Sequence, residues 1–331
     1  MVPTYNRDVF LKEAIESILN QIDDDIKDCI ELVISDNASM DNTEKIVNEY
    51  ISVSPIRVKY FRQKQNMGFD MNVLKVVELA EGQYCSILGD DDKIIDGSIK
   101  KLLKEISSGS DIYLFNATQC NIKMKPLRNT LWVDSDFNRE VYDLSNRNEL
   151  MTYLNKSQSI GALFSYISSF IFKRSRWVGT KINECAKKSN FIHAYICLSF
   201  INNGCKLTYI KEPLVFARLG NDRIKKKDQI NRFLIDIDTY LLFSEVFFSS
   251  DHELRKLFLK VISREHSFIV LLKIAVIIND KHEWEKVKSK LLKIGYDYKM
   301  IKRIDFARNL KIIIKPLLLF LINCKHKIKG D

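Results

Sequence analysis

Tyr84-Cys85-Ser86-Ile87-Leu88-Gly89-Asp90-Asp91-Asp92 is a largely apolar run that stops at a glycine and three consecutive carboxylates. Its first half predicts a strand, and Ile94 to Ile106 beyond it has helical spacing. The same alternation continues upstream. Gly68 to Ala80 reads as a helix through Val73, Leu74, Val76 and Val77, and Ile56-Arg57-Val58-Lys59-Tyr60-Phe61 alternates like a strand. Before these come a helix after Asp41 with Ile46 and Val47 inward and the β-branched run Ile30-Glu31-Leu32-Val33-Ile34. The chain opens with a helix that Asp8 is placed to cap, its apolar positions at Leu11, Ala14, Ile15, Ile18 and Leu19. Downstream, Ile112-Tyr113-Leu114-Phe115 is a further strand. Regular strand–helix alternation predicts an α/β fold with a doubly wound, mostly parallel sheet, whose ligands bind outside the carboxyl ends of the strands.

Residues 120–185 are mixed, with a strand-like Ser168-Ser169-Phe170-Ile171-Phe172. Asn190 to Asn203 predicts a helix, followed by the strand Leu207-Thr208-Tyr209-Ile210 and the segment Leu214-Val215-Phe216-Ala217-Arg218. From Gln229 onward the pattern is helical. Lys225-Lys226-Lys227 marks the expected junction between a first domain, 1–225, and an α-helical C-terminal region, 226–331.

Composition narrows the function classes. The chain has 331 residues, 46% hydrophobic and 28% charged, which is too apolar for wholesale disorder. Its net charge of +10 suggests nucleic acid until located, because residues 301–331 carry eight Lys and Arg against two Asp. A basic tail suits an anionic membrane surface at least as well. Seven cysteines form no C-x-x-C pair and the start, Met1-Val2-Pro3-Thr4, is no signal peptide, so reduced thiols and a cytoplasmic location are expected. No apolar run approaches the ~18 residues of a membrane span.

Three adjacent carboxylates at a strand's end repel one another. Either Asp92 or Asp96 caps the next helix while the others face water, or the triplet shares a hard divalent cation with a substrate's phosphates. The chain has no G-x-x-x-x-G-K-[ST], G-x-G-x-x-G, H-E-x-x-H or G-x-S-x-G motif.

Four motifs stand in register: Pro3-Thr4-Tyr5-Asn6-Arg7, Asp36-Asn37-Ala38-Ser39 with Asp41-Asn42-Thr43, Asn66-Met67-Gly68, and Gly82 to Asp92. Together they resemble the family 2 glycosyltransferases of the GT-A fold, over roughly residues 1–220. The resemblance implies a nucleotide-sugar-binding GT-A fold and an inverting, metal-dependent transfer from a nucleoside-diphosphate sugar to a glycan acceptor, including a lipid-linked one, in surface-polysaccharide synthesis. By that resemblance Thr4, Tyr5, Asn6, Arg7, Asp36, Asn37, Asp90 and Arg218 bind the nucleotide. Tyr5 is able to stack on a base, and Asp36 and Asn37 to bond its edge and the ribose; turn chemistry is the other account of Asn6 and Asn37. The family's D-x-D falls on Gly89-Asp90-Asp91, so its first Asp is Gly here. Asp91, helped by Asp90 and Asp92, is then the ligand of Mg²⁺ or Mn²⁺, which offsets charge developing on the departing diphosphate.

The family's E-D pair, counted back from Asn203-Gly204, falls on Ile192-His193. His193 would be the base, as in the subgroup of bacterial deoxysugar (abequosyl-type) transferases; a hydrogen-bonded core histidine is the other reading. Arg218, Asn221 and Arg223 fall where the family places a loop near the diphosphate, against a solvated basic loop. Ser159-Ile160-Gly161 falls where the acceptor is bordered. The family also has an apolar strand just before P-T-Y-N, of which only Met1 and Val2 are present. Either the start codon is misassigned, or the first strand is truncated, with a gap or unpaired edge in the sheet and lower stability expected.

The tail, Ile312 to Ile322 rimmed by Lys311, Lys325, Lys327 and Lys329, reads as an interfacial segment on the inner face of the cytoplasmic membrane, or as a core helix packed on 254–278. The competing functions are a nucleic-acid-binding protein, which the charge alone suggests, and a non-catalytic sugar-nucleotide-binding scaffold. The preferred reading has no nucleic-acid partner.

Overall fold

The protein is described as a computed structural model covering residues 1–221 and 228–309. Its chain divides into two compact units, Met1–Asn221 and Asp222–Asp331. The division falls four residues before the expected 225/226 boundary. Lys225-Lys226-Lys227, Arg223 and the tail 310–331 lie outside the described residues.

In the first unit strands and helices alternate as β1 (Val2–Thr4), α1 (Asp8–Leu19), β2 (Glu31–Asp36), α2 (Thr43–Val53), β3 (Arg57–Arg62), α3 (Phe69–Leu79), β4 (Tyr84–Ser86), β5 (Lys93–Ile94) and α4 (Ser98–Ile106). There follow β6 (Ile112–Cys120), β7 (Pro126–Asn129), β8 (Arg139–Asp143), α5 (Arg147–Lys156), β9 (Phe170–Lys173), α6 (Arg174–Val178), α7 (Ile192–Asn202) and β10 (Lys206–Arg218). β1, β2 and β3 pair in parallel. The second sheet runs β4-β9-β6-β10-β5 and is mixed: β6 and β10 are parallel, whereas β9 is antiparallel to both its neighbours. β2 and β6 are buried along nearly their whole length, as strands covered on both faces must be.

The expected gap at the first strand is corrected. Val2–Thr4 pairs with Ile34–Asp36, and the Met1 amine donates to Ser86 O at 2.8 Å while Leu88 N donates to Met1 O at 2.9 Å. These two bonds join β1 to the β4 segment, so the small sheet continues into the large one. Other differences are local. Ile94 pairs with Val215 as part of β5, so the helix expected from it starts at Ser98. Leu207–Ile210 and Leu214–Arg218 are one strand, β10, broken in register around Pro213, which has no N–H for a ladder. Its first half pairs with β8 and its second half with β5. Asp8 is the first residue of α1 and not its N-cap; its Oδ1 accepts from Val9 N and its Oδ2 from Asn42 N and Nδ2.

The second unit is helical: α8 (Asp228–Phe248), α9 (His252–Glu265), α10 (Phe268–Ile277), α11 (Lys281–Ile294) and α12 (Tyr298–Asn309). Phe243, Phe258, Leu271, Trp284, Leu291 and Ile304 form its core. Asp251 and Asp280 cap α9 and α11 by accepting backbone N–H bonds. No described helix is long and apolar enough to cross a membrane.

Candidate active site

The loops that leave β1, β2, β3 and the β4 segment carry the four motifs, so the parallel arrangement gathers Tyr5–Arg7, Asn37–Asp41, Gln63–Gly68 and Gly89–Asp92 on one rim. Asn6 holds a left-handed φ of +50°, which Asn tolerates better than most residues. The turn lets Asn6 N donate to Ser39 Oγ at 2.8 Å and Asn6 Oδ1 accept from Met40 N at 2.7 Å. Asn37 fastens the next loop: its Nδ2 donates to Asn66 Oδ1 and Gly68 O, and its Oδ1 accepts from Met67 N. Both asparagines thus serve turn geometry. Asp36 is fully buried and accepts from Ser39 N and from the Tyr60 hydroxyl, each at 2.8 Å, with Arg62 Nε 3.6 Å away. Burial, and then the bond to Asp36, push the Tyr60 hydroxyl well above its ordinary pKa.

The three aspartates sit in three different environments. Asp90 Oδ2 accepts from the Thr4 hydroxyl at 2.8 Å and from Tyr5 N at 3.4 Å, fastening the acidic turn to the first loop. Burial raises its pKa to about 6, against the lowering effect of Arg7. Asp91 is the most exposed, its side chain 24% accessible; its Oδ2 accepts from Arg7 Nη1 at 2.5 Å and from Asn221 Nδ2 at 2.9 Å. Asp92 is buried. Its Oδ2 accepts from the Tyr166 and Ser168 hydroxyls, each at 2.6 Å, and its Oδ1 from Arg218 N at 3.0 Å. Burial, and then the charge of Asp91, raise its pKa to about 7.

The same packing leaves no room for a side chain at Gly89. A Cβ on Gly89 would lie 2.9 Å from Asp92 Oδ2, 3.2 Å from Asp91 Oδ1 and 3.3 Å from Ser168 Oγ. The inward third carboxylate therefore requires the first position to lack a side chain.

Two expected site residues receive different roles. Asp92, expected to help hold the metal, is buried, and its two oxygens accept from three donors. Arg218 is not free for phosphate. Its guanidinium is buried and donates to Glu13 Oε2, Asp91 O and Ile122 O, stacked over Phe10 at 4.7 Å. Asp91 is the accessible carboxylate of the triplet. Among the described residues no group of three or more His, Cys, Asp or Glu is arranged to hold a metal alone. One accessible carboxylate suits a hard cation that takes its other ligands from phosphates and water.

His193, on the first turn of α7, is 2% exposed and packs among Phe69, Phe170 and Phe191, with Nε2 3.4 Å from Ser165 O. Asp70 fixes this helix start by accepting from Asn190 N and Ile192 N. A cavity of about 770 Å³ opens at the opposite ends of the strands, lined by residues such as Glu31, Leu32, Tyr84 and Ile171, and none of the predicted site residues borders it.

The sequence profile described as Glycosyl transferase family 2 matches residues 1–175. The abequosyltransferase RfbV of Salmonella typhimurium is 33% identical over 92% of this chain and 91% of its own length. The chain belongs to glycosyl transferase family 2. A Campylobacter jejuni GalNAc(5)-diNAcBac-PP-undecaprenol beta-1,3-glucosyltransferase is 36% identical over about a third of each chain. The fold is also that of Staphylococcus aureus TarS 1–349, solved with UDP-GlcNAc, at a TM-score of 0.61 and 15% identity, over 88% of this chain and 78% of that one. This glycosyltransferase is thus an enzyme related to transferases of surface-polysaccharide synthesis, with the α/β GT-A fold and a helical extension.

Reading the sequence missed Tyr166, Ser168, Glu13, Tyr60 and Asp70, the partners of the motif residues of this family 2 enzyme. Tyr60 carried a signal, since it lies on the alternating strand β3 beside β2. Tyr166 and Ser168 carried none, standing 74 and 76 residues from Asp92.

Proposed function

We propose that this glycosyltransferase is inverting and metal-dependent, and moves a hexosyl or deoxyhexosyl group from a nucleoside-diphosphate sugar to a glycan acceptor, lipid-linked glycans included. Its setting is bacterial surface-polysaccharide synthesis at the cytoplasmic membrane, where the basic, apolar tail makes peripheral contact with anionic lipid. The observation that carries the proposal is the position of Asp91. It is the accessible carboxylate of the triplet, bonded to Arg7 on the rim that also carries Tyr5.

Tyr5 stacks on the base, while Thr4 and Asp90 set the first loop against the acidic turn. Asp36 and Asn37 shape the nucleoside side of the rim through Tyr60 and Asn66. Asp91 would hold Mg²⁺ or Mn²⁺, which supplies neutralisation of charge on the leaving diphosphate. Arg7 stands beside that position as the chain's own cation for a phosphate. The abequosyltransferase relative favours a deoxyhexose donor.

A proton acceptor completes the reaction. His193 serves as base only where the acceptor hydroxyl reaches its ring, which is buried here beside Ser165 O and the rings of Phe69, Phe170 and Phe191. A panel of sugar nucleotides, assayed for Mn²⁺-dependent turnover, tests the whole. Asp91→Asn is expected to lower turnover about 10²–10³-fold with the melting temperature kept. If His193 is the base, His193→Gln lowers kcat with KM and melting temperature little changed; a drop in melting temperature with kcat kept assigns it to the core. Metal-independent turnover at the wild-type rate would overturn the proposal.

A further inference from the structure

Residues 267–331 hold fifteen Lys and Arg against six Asp and Glu, so they account for nine of the chain's ten net positive charges. The described part of that stretch turns much of this charge outward. On α12, Tyr298, Lys302 and Phe306 follow one another at four-residue spacing, and Lys299 and Arg303 form the adjacent row. Tyr298 is 57% and Phe306 69% exposed, while Ile301 and Ile304 face inward. Lys302 Nζ lies 4.8 Å from the centre of the Tyr298 ring. Among the described residues no carboxylate lies within ion-pair distance of Lys299, Lys302 or Arg303. By contrast, Lys288 is paired with Glu285 and Asp305, and Lys290 with Asp238.

The neighbouring helix repeats the pattern in apolar form. α10 packs against α12 and buries Leu271, Leu272, Ala275 and Val276. Its other side presents Ile269 and Ile277, 53% and 48% exposed, with Val270 beside them. Isolated exposed apolar residues are ordinary. Two packed helices that each expose an apolar or aromatic row, in the most basic part of the chain, are not isolated.

We propose that the outward row of α12, with that of α10, is a docking surface for an anionic lipid membrane, distinct from the tail. Aromatic rings beside lysines suit the headgroup level, where the ring enters the apolar boundary and the ammonium stays at the phosphates. Each basic side chain near an anionic leaflet adds to the attraction, and salt weakens the sum. The inference deepens the membrane contact proposed above by naming a folded surface for it, and it does not depend on the donor chemistry.

Flotation of the full-length protein tests it, with vesicles of phosphatidylcholine alone and with about one-third phosphatidylglycerol. The wild type is expected to float with the anionic vesicles only, and less so as salt rises. Tyr298→Ser with Phe306→Ser is expected to weaken partitioning about tenfold, and Lys299→Glu with Lys302→Glu at least as much. Ile269→Asn with Ile277→Asn is expected to weaken it by a smaller factor. Donor turnover in solution should be unchanged in all three, because none of these residues lies on the catalytic rim. Full binding retained by the α12 variants, and lost in a full-length chain with Lys325, Lys327 and Lys329 changed to Glu, would assign docking to the tail and overturn the proposal. So would wild-type protein that ignores both vesicle types, or that self-associates in solution through Phe306 without lipid. Loss of turnover with lipid binding intact would count against the enzymatic reading alone.

Discussion

The acidic turn at Gly89–Asp92 and the outer face of α12 both concentrate charge, but in opposite ways. In the turn every aspartate has a partner, each in a different one: hydroxyls and a backbone amide hold Asp92, Thr4 holds Asp90, and Arg7 with Asn221 holds Asp91. On the outer face of α12, Lys299, Lys302 and Arg303 are exposed and carry no ion pairs among the described residues. Charge buried among partners acts through geometry, so single atoms matter. Charge left in water acts as a sum, so number and salt matter.

The comparison is tested most severely at Arg218. Its buried guanidinium serves three acceptors, so Arg218→Met is expected to cost about 2–4 kcal/mol of stability, read from chemical denaturation. A loss no larger than that of Lys302→Met, which is expected to be within about 0.5 kcal/mol, would erase the distinction. Gly89→Ala comes next. The added methyl meets Asp92 Oδ2 and Ser168 Oγ, and about 1–3 kcal/mol is expected to be lost. Asp92→Asn in the same chain should change that cost, since the two sites touch.

A third test is in pH. Asp92 keeps its proton up to about pH 7 in the folded state, whereas the unfolded chain gives it up near 3.8. Between these values the folded state binds more protons, so this group's contribution to stability falls as pH rises and levels off above about 7. Denaturation midpoints of wild type minus Asp92→Asn, from pH 4 to 8, should show that slope. A difference that is flat or rises with pH would contradict the buried placement of Asp92.

Much of this was legible in the sequence because β2, β6 and the helices of the first unit announce themselves by period, and the four motifs fall at the ends of those strands. The short strands were harder. β1 has three residues and β5 two, too few for a period, and each is held by partners far along the chain. Within the site, residue types marked Asp90 and Asp91 as chemistry-bearing, but their environments are set by distant groups. Arg218 stands 126 residues from Asp92 and 205 from Glu13, so its burial against them is a tertiary fact that no local pattern carries. Its arginine identity pointed to a phosphate or to a solvated loop, and not to this internal bracket.

The central claim is that Asp91 alone of the triplet meets a divalent cation together with a donor's diphosphate. Calorimetric binding of nucleoside diphosphates, with and without Mn²⁺, measures it in wild type, Asp91→Asn and Asp92→Asn. The account predicts that Mn²⁺ strengthens binding about tenfold or more in the wild type and in folded Asp92→Asn, and not in Asp91→Asn. Equal strengthening in Asp91→Asn, or none in the wild type, would contradict it.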